Sequence, residues 1–222
     1  MNISLSSLMK SVVASATIAL TVAVPAQAAG DVKAGEAKAA MCIGCHGIPG
    51  YQNSFPEIHK VPMISGQSQA YIAASLVAYQ KGDRKHPSMR GIAGSLSEQD
   101  IADLAAFYAA HNPGVTAPET LKKPIPPAVA ALYEKGGCVA CHGANFSKPI
   151  DPSYPKIAGQ HADYLYVALK SYTVEGNAVV GRSNGIMAGI AKQFTLAELK
   201  QMANHLATLD GELATKPQSR FR

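Results

Sequence analysis

All four cysteines of the chain lie in two short motifs of the same form. The motifs are Cys42-Ile43-Gly44-Cys45-His46 and Cys138-Val139-Ala140-Cys141-His142, and each is followed by glycine. Two thiols at this spacing on a helical turn can form thioethers with the two vinyl groups of one porphyrin, and the next side chain then places an imidazole under the iron. The pattern therefore predicts two covalently bound haem c groups, with His46 and His142 as iron ligands.

Three other uses of paired cysteines explain the sequence less well. Two disulfides would be the default for four cysteines in an oxidising compartment, but disulfides do not account for the histidine after each second cysteine. A thioredoxin-like redox pair leaves the same histidine unexplained and lacks a βαβ context. A zinc site built from both Cys-x-x-Cys pairs would also leave both adjacent histidines without a role.

The second axial ligand decides what such an iron can do. An open coordination position allows small-molecule chemistry, whereas a second protein ligand restricts the iron to electron transfer. Met89 and Met187 lie 47 and 49 residues after the first cysteine of their motifs, in predicted loops before a terminal helix. Met63 fails the test of repetition, because its counterpart is Lys156. We therefore expect Met89 and Met187 to ligate the two irons, with His86 as the reserve ligand.

The other histidines are not needed by either site. His59, like His86, has no histidine counterpart in the other half, and we expect both at the surface or in loops. The remaining three lie at or near predicted helix ends, where solvated or capping roles are expected: His111, His161 and His205.

The two halves of the chain repeat each other beyond the cysteine motifs. Residues 62–67 (PMISGQ) match residues 155–160 (PKIAGQ), and 89–93 (MRGIA) match 187–191 (MAGIA). A ligating imidazole needs an acceptor for its second ring nitrogen, and the matched prolines, Pro62 and Pro155, are candidates to present a backbone carbonyl there. The repeat predicts two sites of the same construction.

Each half shows three helical patterns and no convincing alternating strand. A short helix enters the cysteine motif, a middle helix contains repeated tyrosines, and a terminal helix begins with a capping pattern, Ser97 to Asp100 or Thr195 to Glu198. The apolar stripes of the terminal helices are Ile101, Leu104, Ala105 and Tyr108 in the first half, and Leu199, Met202, Ala203 and Leu206 in the second. The sequence predicts an all-α protein.

The domain boundaries follow from composition. Residues 1–28 read as a cleavable signal peptide, with Lys10 before an apolar run and a small-residue site ending at Ala28. We expect a first domain over 29–112, a linker over 113–127 with five prolines, and a second domain over 128–222 that ends in a basic tail. The apolar run is shorter than a membrane-spanning helix requires, so we expect export and cleavage.

Charge gives little support for a nucleic-acid partner. Without residues 1–28 the chain carries 19 basic and 15 acidic side chains, and the propionates of two haems would bring the balance to about zero. Residues 29–112 carry seven basic and seven acidic groups, whereas 128–222 carry ten and seven. We expect no nucleic-acid binding and a somewhat more positive second domain.

These motifs together resemble the dihaem cytochrome c4 family. The resemblance covers nearly the whole chain after residue 28, and it implies two tandem class I cytochrome c domains related by pseudo-twofold symmetry, with the haems facing each other near the interface. It also implies a periplasmic electron carrier that delivers electrons to a terminal oxidase and associates loosely with the inner membrane surface. The resemblance predicts redox proteins as partners and a carrier rather than an enzyme.

Two other functions use similar sequences. The chain could be the cytochrome subunit of a flavin- or quinone-dependent dehydrogenase, which the sequence separates poorly from a free carrier. A dihaem peroxidase or a thiosulfate-oxidising enzyme would need an open iron or an unusual ligand, and the repeated methionines and the lack of a long insertion argue against both.

Overall fold

The computed structural model describes residues 29–217, which contain ten α-helices and four two-residue β-strands. The predicted signal peptide and the last five residues of the basic tail lie outside the described residues. The helices of the first half are α1 Val32–Lys38, α2 Ala40–His46, α3 Gln69–Lys81, α4 Pro87–Gly94 and α5 Glu98–Ala110. Those of the second half are α6 Pro127–Gly136, α7 Cys138–His142, α8 Ala162–Ser171, α9 Gly185–Ala191 and α10 Leu196–Leu206. The strands are β1 Gln52–Asn53, β2 His59–Lys60, β3 Arg84–Lys85 and β4 Gly181–Arg182.

The terminal helices begin where the capping patterns predict. The Ser97 hydroxyl accepts from the Asp100 N–H, and the Asp100 carboxylate accepts from the Ser97 N–H. Thr195 and Glu198 form the same reciprocal pair at the start of α10. Each pair satisfies N–H groups that a helix start leaves without partners, so both predicted capping boxes are confirmed.

Each half buries its own apolar core around its terminal helix, and the predicted stripes of α5 and α10 are buried as expected. The first core contains Ala39, Ile43, Ile72, Leu96, Ile101, Leu104, Ala105, Phe107 and Tyr108. The second contains Val129, Leu132, Tyr133, Phe146, Ala158, Leu165, Phe194, Leu199, Met202, Ala203 and Leu206. In this way each motif helix, α2 or α7, is held in place by the helices packed around it.

The halves also contact each other directly. Strands β3 and β4 pair in antiparallel orientation, with Arg84 opposite Arg182, and β1 pairs with β2 within the first half. Lys60 is paired with Asp163 at 3.4 Å across the same boundary. Residues 113–126 of the proline-rich segment form neither helix nor strand, whereas Pro127, expected in the linker, is the first residue of α6.

The predicted loops around the two methionines are wrong. Met89 and Met187 were expected in loops, but each lies in the first turn of a short helix, α4 or α9. Pro87 occupies an early position of α4, where a missing N–H costs nothing, and the residues before the two helices act as caps. Among residues 29–217, no helix combines the length and apolarity needed to cross a membrane.

Candidate functional site

A continuous cavity of about 370 Å³ extends through both halves of the described protein. Its walls are mostly apolar and come from the middle and terminal helices together with the loops that follow the cysteine motifs. The cavity brings together every site residue that the sequence predicts: Cys42, Cys45, His46, Met89, Cys138, Cys141, His142 and Met187.

The four cysteines lie on two short helices, α2 and α7. All four lie within the described residues, and none is in a disulfide. Burial raises the pKa of the Cys42 thiol to about 11 and also raises the pKa of the Cys138 thiol. Among residues 29–217, no group of three or more His, Cys, Asp or Glu side chains is placed to hold a metal ion.

Both motif histidines have one ring nitrogen fixed by a backbone carbonyl. His46 Nδ1 donates to the Pro62 carbonyl at 2.9 Å, and His142 Nδ1 donates to the Pro155 carbonyl at 3.1 Å. Burial lowers the pKa of both imidazoles, which favours the neutral form. The predicted proline contacts are confirmed. With Nδ1 protonated, the lone pair on Nε2 of each ring is available to bind iron.

The two methionine helices are capped in equivalent ways. The Met187 N–H donates to Asn184 Oδ1 at 3.0 Å, and the Met89 N–H is directed at His86 Nδ1 at 3.5 Å, a weaker contact. His86 therefore occupies the capping position that Asn184 fills in the other half. His86 also lines the cavity, so it stays near the first site without leaving its place at the helix start.

The remaining histidines differ in part from expectation. His59 was expected at the surface or in a loop, but it lies in β2 and is 5% exposed, with Nδ1 bonded to the Glu57 carbonyl at 2.8 Å. That prediction is wrong because the two-residue ladder turns the ring inward. His111 caps α5 and lies 3.1 Å from Ser65 Oγ. His205 lies 2.9 Å from the Tyr133 hydroxyl, and His161 occupies the position before α8.

Two cavity arginines were missed by the sequence reasoning. Arg84 donates to Tyr164 Oη at 2.7 Å, and Arg182 donates to the same oxygen at 3.2 Å. Burial raises the pKa of Tyr164, but the two guanidinium charges outweigh burial and bring the pKa to about 8. Each arginine precedes its repeated methionine by five residues, and that matched spacing could have identified the pair.

The arginine pair tests whether haem c suits this cavity. Neither guanidinium is paired with a carboxylate among residues 29–217, and Arg84 Nε is buried without an acceptor. Two adjacent cations in an apolar wall are costly unless anions accompany them. Haem carries two carboxylates on one edge, and its two vinyl groups become the thioethers of haem c when they react with thiols. The paired cysteines, the oriented histidines and the arginine pair therefore fit that group.

Comparisons with known proteins find relatives along most of the chain. The family model described as Cytochrome c matches residues 32–110 and 128–210. The chain is 30% identical to cytochrome c4 of Azotobacter vinelandii over 211 residues, which cover 87% of this chain and 97% of that protein. It is also 30% identical to a thiosulfate dehydrogenase electron acceptor of Thiomonas intermedia, over 90% of this chain and 91% of that one.

A solved structure has the same architecture. The crystal structure of reduced recombinant cytochrome c4 from Pseudomonas stutzeri aligns with a TM-score of 0.61 and 27% sequence identity. The alignment covers 82% of this chain and all of that one, so both halves are matched.

Proposed function

Because this chain belongs to the dihaem cytochrome c4 family, we propose that it carries electrons through the periplasm and delivers them to a terminal oxidase. Membership of this family establishes the general role of the protein. The protein is an all-α electron-transfer cytochrome with two tandem class I cytochrome c domains and two covalently bound haem c groups, and it is a carrier rather than an enzyme.

We assign one iron to His46 and Met89 and the other to His142 and Met187. The observation that carries this proposal is the repeated construction of the site. In each half a histidine whose Nδ1 is bonded to a proline carbonyl and a methionine whose backbone N–H faces a capping side chain line one cavity. Haem c supplies a one-electron iron couple when bound, and ligation by histidine and methionine raises its potential. With both axial positions filled by the protein, neither iron is left open to a substrate.

The proposed domains are residues 29–112 and 128–222, joined by 113–127. Export by a signal peptide over 1–28 would place them in the periplasm, where thioether attachment leaves no cysteine free. This arrangement also supports redox proteins as partners: a quinol-oxidising complex or another donor on one side and the oxidase on the other.

A second function has one specific observation in its favour. The relative from Thiomonas intermedia is named for accepting electrons from thiosulfate dehydrogenase, and its alignment spans nearly the whole chain. The same two haem sites could therefore accept electrons from a dehydrogenase partner. In that case the physiological donor, rather than the acceptor, would define the role.

The test compares three reactions in one preparation of the holoprotein. The reduced protein is mixed with membranes that contain a terminal oxidase, and oxygen uptake is followed. Peroxide consumption and the binding of carbon monoxide are measured in parallel. We expect rapid oxygen uptake that slows at high salt, negligible peroxide turnover and weak carbon monoxide binding, because both irons keep their protein ligands.

A matched variant calibrates the assay. Met187→Ala should open one coordination position and bind carbon monoxide, which shows that an open iron would have been detected. Fast peroxide turnover by the unsubstituted protein, with little oxidase reduction, would refute the carrier proposal. Rapid reduction by thiosulfate dehydrogenase together with no oxygen uptake would replace the oxidase by the dehydrogenase partnership.

A further inference from the structure

Two buried glutamines cross between the halves in the same way. Gln160 Oε1 accepts from the Met63 N–H at 3.0 Å, and its Nε2 donates to the Met63 carbonyl at 2.8 Å. Gln67 makes the reciprocal pair with the backbone of Lys156, at 3.0 Å and 2.9 Å. The two side chains are 4% and 5% exposed. Each half therefore supplies one glutamine side chain and one backbone segment to the contact between the halves.

Each glutamine is fixed to its own half before it reaches the other. The preceding glycines, Gly66 and Gly159, have φ values of +85° and +73°, a backbone region that residues with a side chain rarely adopt. Their N–H groups donate to the terminal helices, to the Tyr108 carbonyl and the Leu206 carbonyl, both at 2.9 Å. Because the carbonyl partner needs a donor and the N–H partner needs an acceptor, the orientation of each amide is fixed as well.

The peptide groups that the glutamines contact also contact the motif histidines. In the peptide joining Pro62 to Met63, the carbonyl accepts from His46 Nδ1 at 2.9 Å and the N–H donates to Gln160. In the equivalent peptide of the other half, the Pro155 carbonyl accepts from His142 Nδ1 at 3.1 Å and the Lys156 N–H donates to Gln67. Each histidine is thus one peptide group away from a glutamine of the opposite half.

We propose that Gln67 and Gln160 are positioning residues that set the haem potentials in a crossed manner. Gln160, in the second half, tunes the iron bound by His46, and Gln67, in the first half, tunes the iron bound by His142. The inference rests on the proposed axial ligation. It makes the potential of each haem depend on the docking of the opposite domain.

The direction in which each glutamine changes the haem potential follows from the way connected hydrogen bonds polarise one another. An acceptor on the N–H of a peptide makes its carbonyl a stronger acceptor, with a strengthening of roughly 10–30% per bond. The proximal imidazole then donates more strongly from Nδ1 and becomes a more basic ligand. A more basic ligand stabilises the oxidised iron, so each glutamine lowers the potential of the opposite haem.

The glutamines recognise only backbone, which explains a difference between the halves. The residue after the proline is Met63 in one half and Lys156 in the other, although the motif around it is repeated. Because both bonds go to main-chain atoms, that side chain is free to differ. Lys156 uses this freedom to pair with Glu212 at 2.5 Å.

The test uses Gln160→Met and Gln67→Met, which keep the length of the side chain and remove both hydrogen bonds. Each haem is followed separately in a redox titration by its hyperfine-shifted proton signals, assigned through contacts to Cys42 or Cys138. Gln160→Met should raise the reduced-to-oxidised ratio of the first haem threefold to fivefold at a fixed ambient potential, about 30–40 mV for one electron. Gln67→Met should do the same to the second haem only.

Ser68→Ala is the matched control. Ser68 adjoins Gln67 and donates to the Pro152 carbonyl across the same boundary, but that carbonyl does not accept from a motif histidine. This variant should leave both potentials unchanged. Either glutamine variant alone tests the proposal, because a shift in a different haem is expected for each variant.

The outcomes separate this proposal from the assignment of ligands. A shift in the haem of the variant's own half, equal shifts in both haems, or no shift in either would overturn the crossed coupling. These results test the crossed coupling in protein that shows the methionine-to-iron charge-transfer absorption, since that absorption reports the proposed ligation. Absence of that absorption from the unsubstituted protein would overturn the ligation, and the coupling with it.

Discussion

Gly35 lies where α1 crosses α5, and alanine at this position should force the two helices apart. A Cβ atom at Gly35 would lie 2.0 Å from the Asp103 carbonyl oxygen and 2.7 Å from Phe107 Cβ. Carbon-to-oxygen contacts need about 3.3 Å, so the helices must separate by about 1.3 Å. The obstacle is backbone rather than the flexible end of a side chain, and it cannot rotate away.

The cost can be worked from this geometry. Overpacking of a tight contact typically costs about 1–3 kcal/mol, and replacing a helical glycine by alanine returns about 0.5–1 kcal/mol. The obstacle is backbone, so the upper part of the overpacking range, about 2–3 kcal/mol, applies, and the net loss for the first half is about 1–2.5 kcal/mol. With a urea dependence of about 1 kcal/mol per molar for a small domain, the midpoint should fall by about 1–2.5 M.

The assay is urea unfolding followed by circular dichroism and by the methionine-to-iron absorption. Because α1 leads directly into the motif helix α2, we expect the signal of the first haem to disappear before that of the second. Gly94→Ala is the control: Gly94 ends α4, and nothing lies within 4 Å of an added Cβ. An unchanged midpoint in Gly35→Ala, or an equal fall in Gly94→Ala, would refute the reasoning.

Two further predictions concern the ligands and acid stability. Replacing Met89 or Met187 by alanine should halve the charge-transfer absorption of the oxidised protein; if Met89→Ala leaves it intact while His86→Ala perturbs the first haem, the ligand of that half is His86 instead. Asp103 is 2% exposed, and the Asp31 N–H and the Lys38 ammonium hold its pKa below the usual range. A carboxyl with a depressed pKa stabilises the fold above the unfolded value of about 4 and loses that contribution as the pH falls through its folded value. We therefore expect the stability of the first half to fall as the pH drops below about 4 in an acid titration read by circular dichroism, and Asp103→Asn to flatten this dependence; identical titrations of the two proteins would contradict it.

The terminal helices, their caps and the cysteine motifs at the cavity could be predicted because their signals are local. Capping boxes depend on residues three apart, and the cysteine motif is complete within one helical turn. The short helices around Met89 and Met187 were missed because their caps, His86 and Asn184, differ in type. His59 was placed wrongly because a two-residue strand leaves no alternating pattern in the sequence.

The contacts between the halves were harder to predict, because a repeat predicts two similar units without indicating which repeated residues face the other unit. Pro62 and Pro155 recur and serve the histidine of their own half. Gln67 and Gln160 recur in the same segments, yet their side chains serve the opposite half. A contact that is reciprocal under pseudo-twofold symmetry needs the same residue in both copies, so recurrence alone cannot separate the two cases. What separates them is chemistry: a proline carbonyl can satisfy a neighbouring imidazole locally, whereas a buried amide must find both a donor and an acceptor. In this protein the backbone of the opposite half provides both.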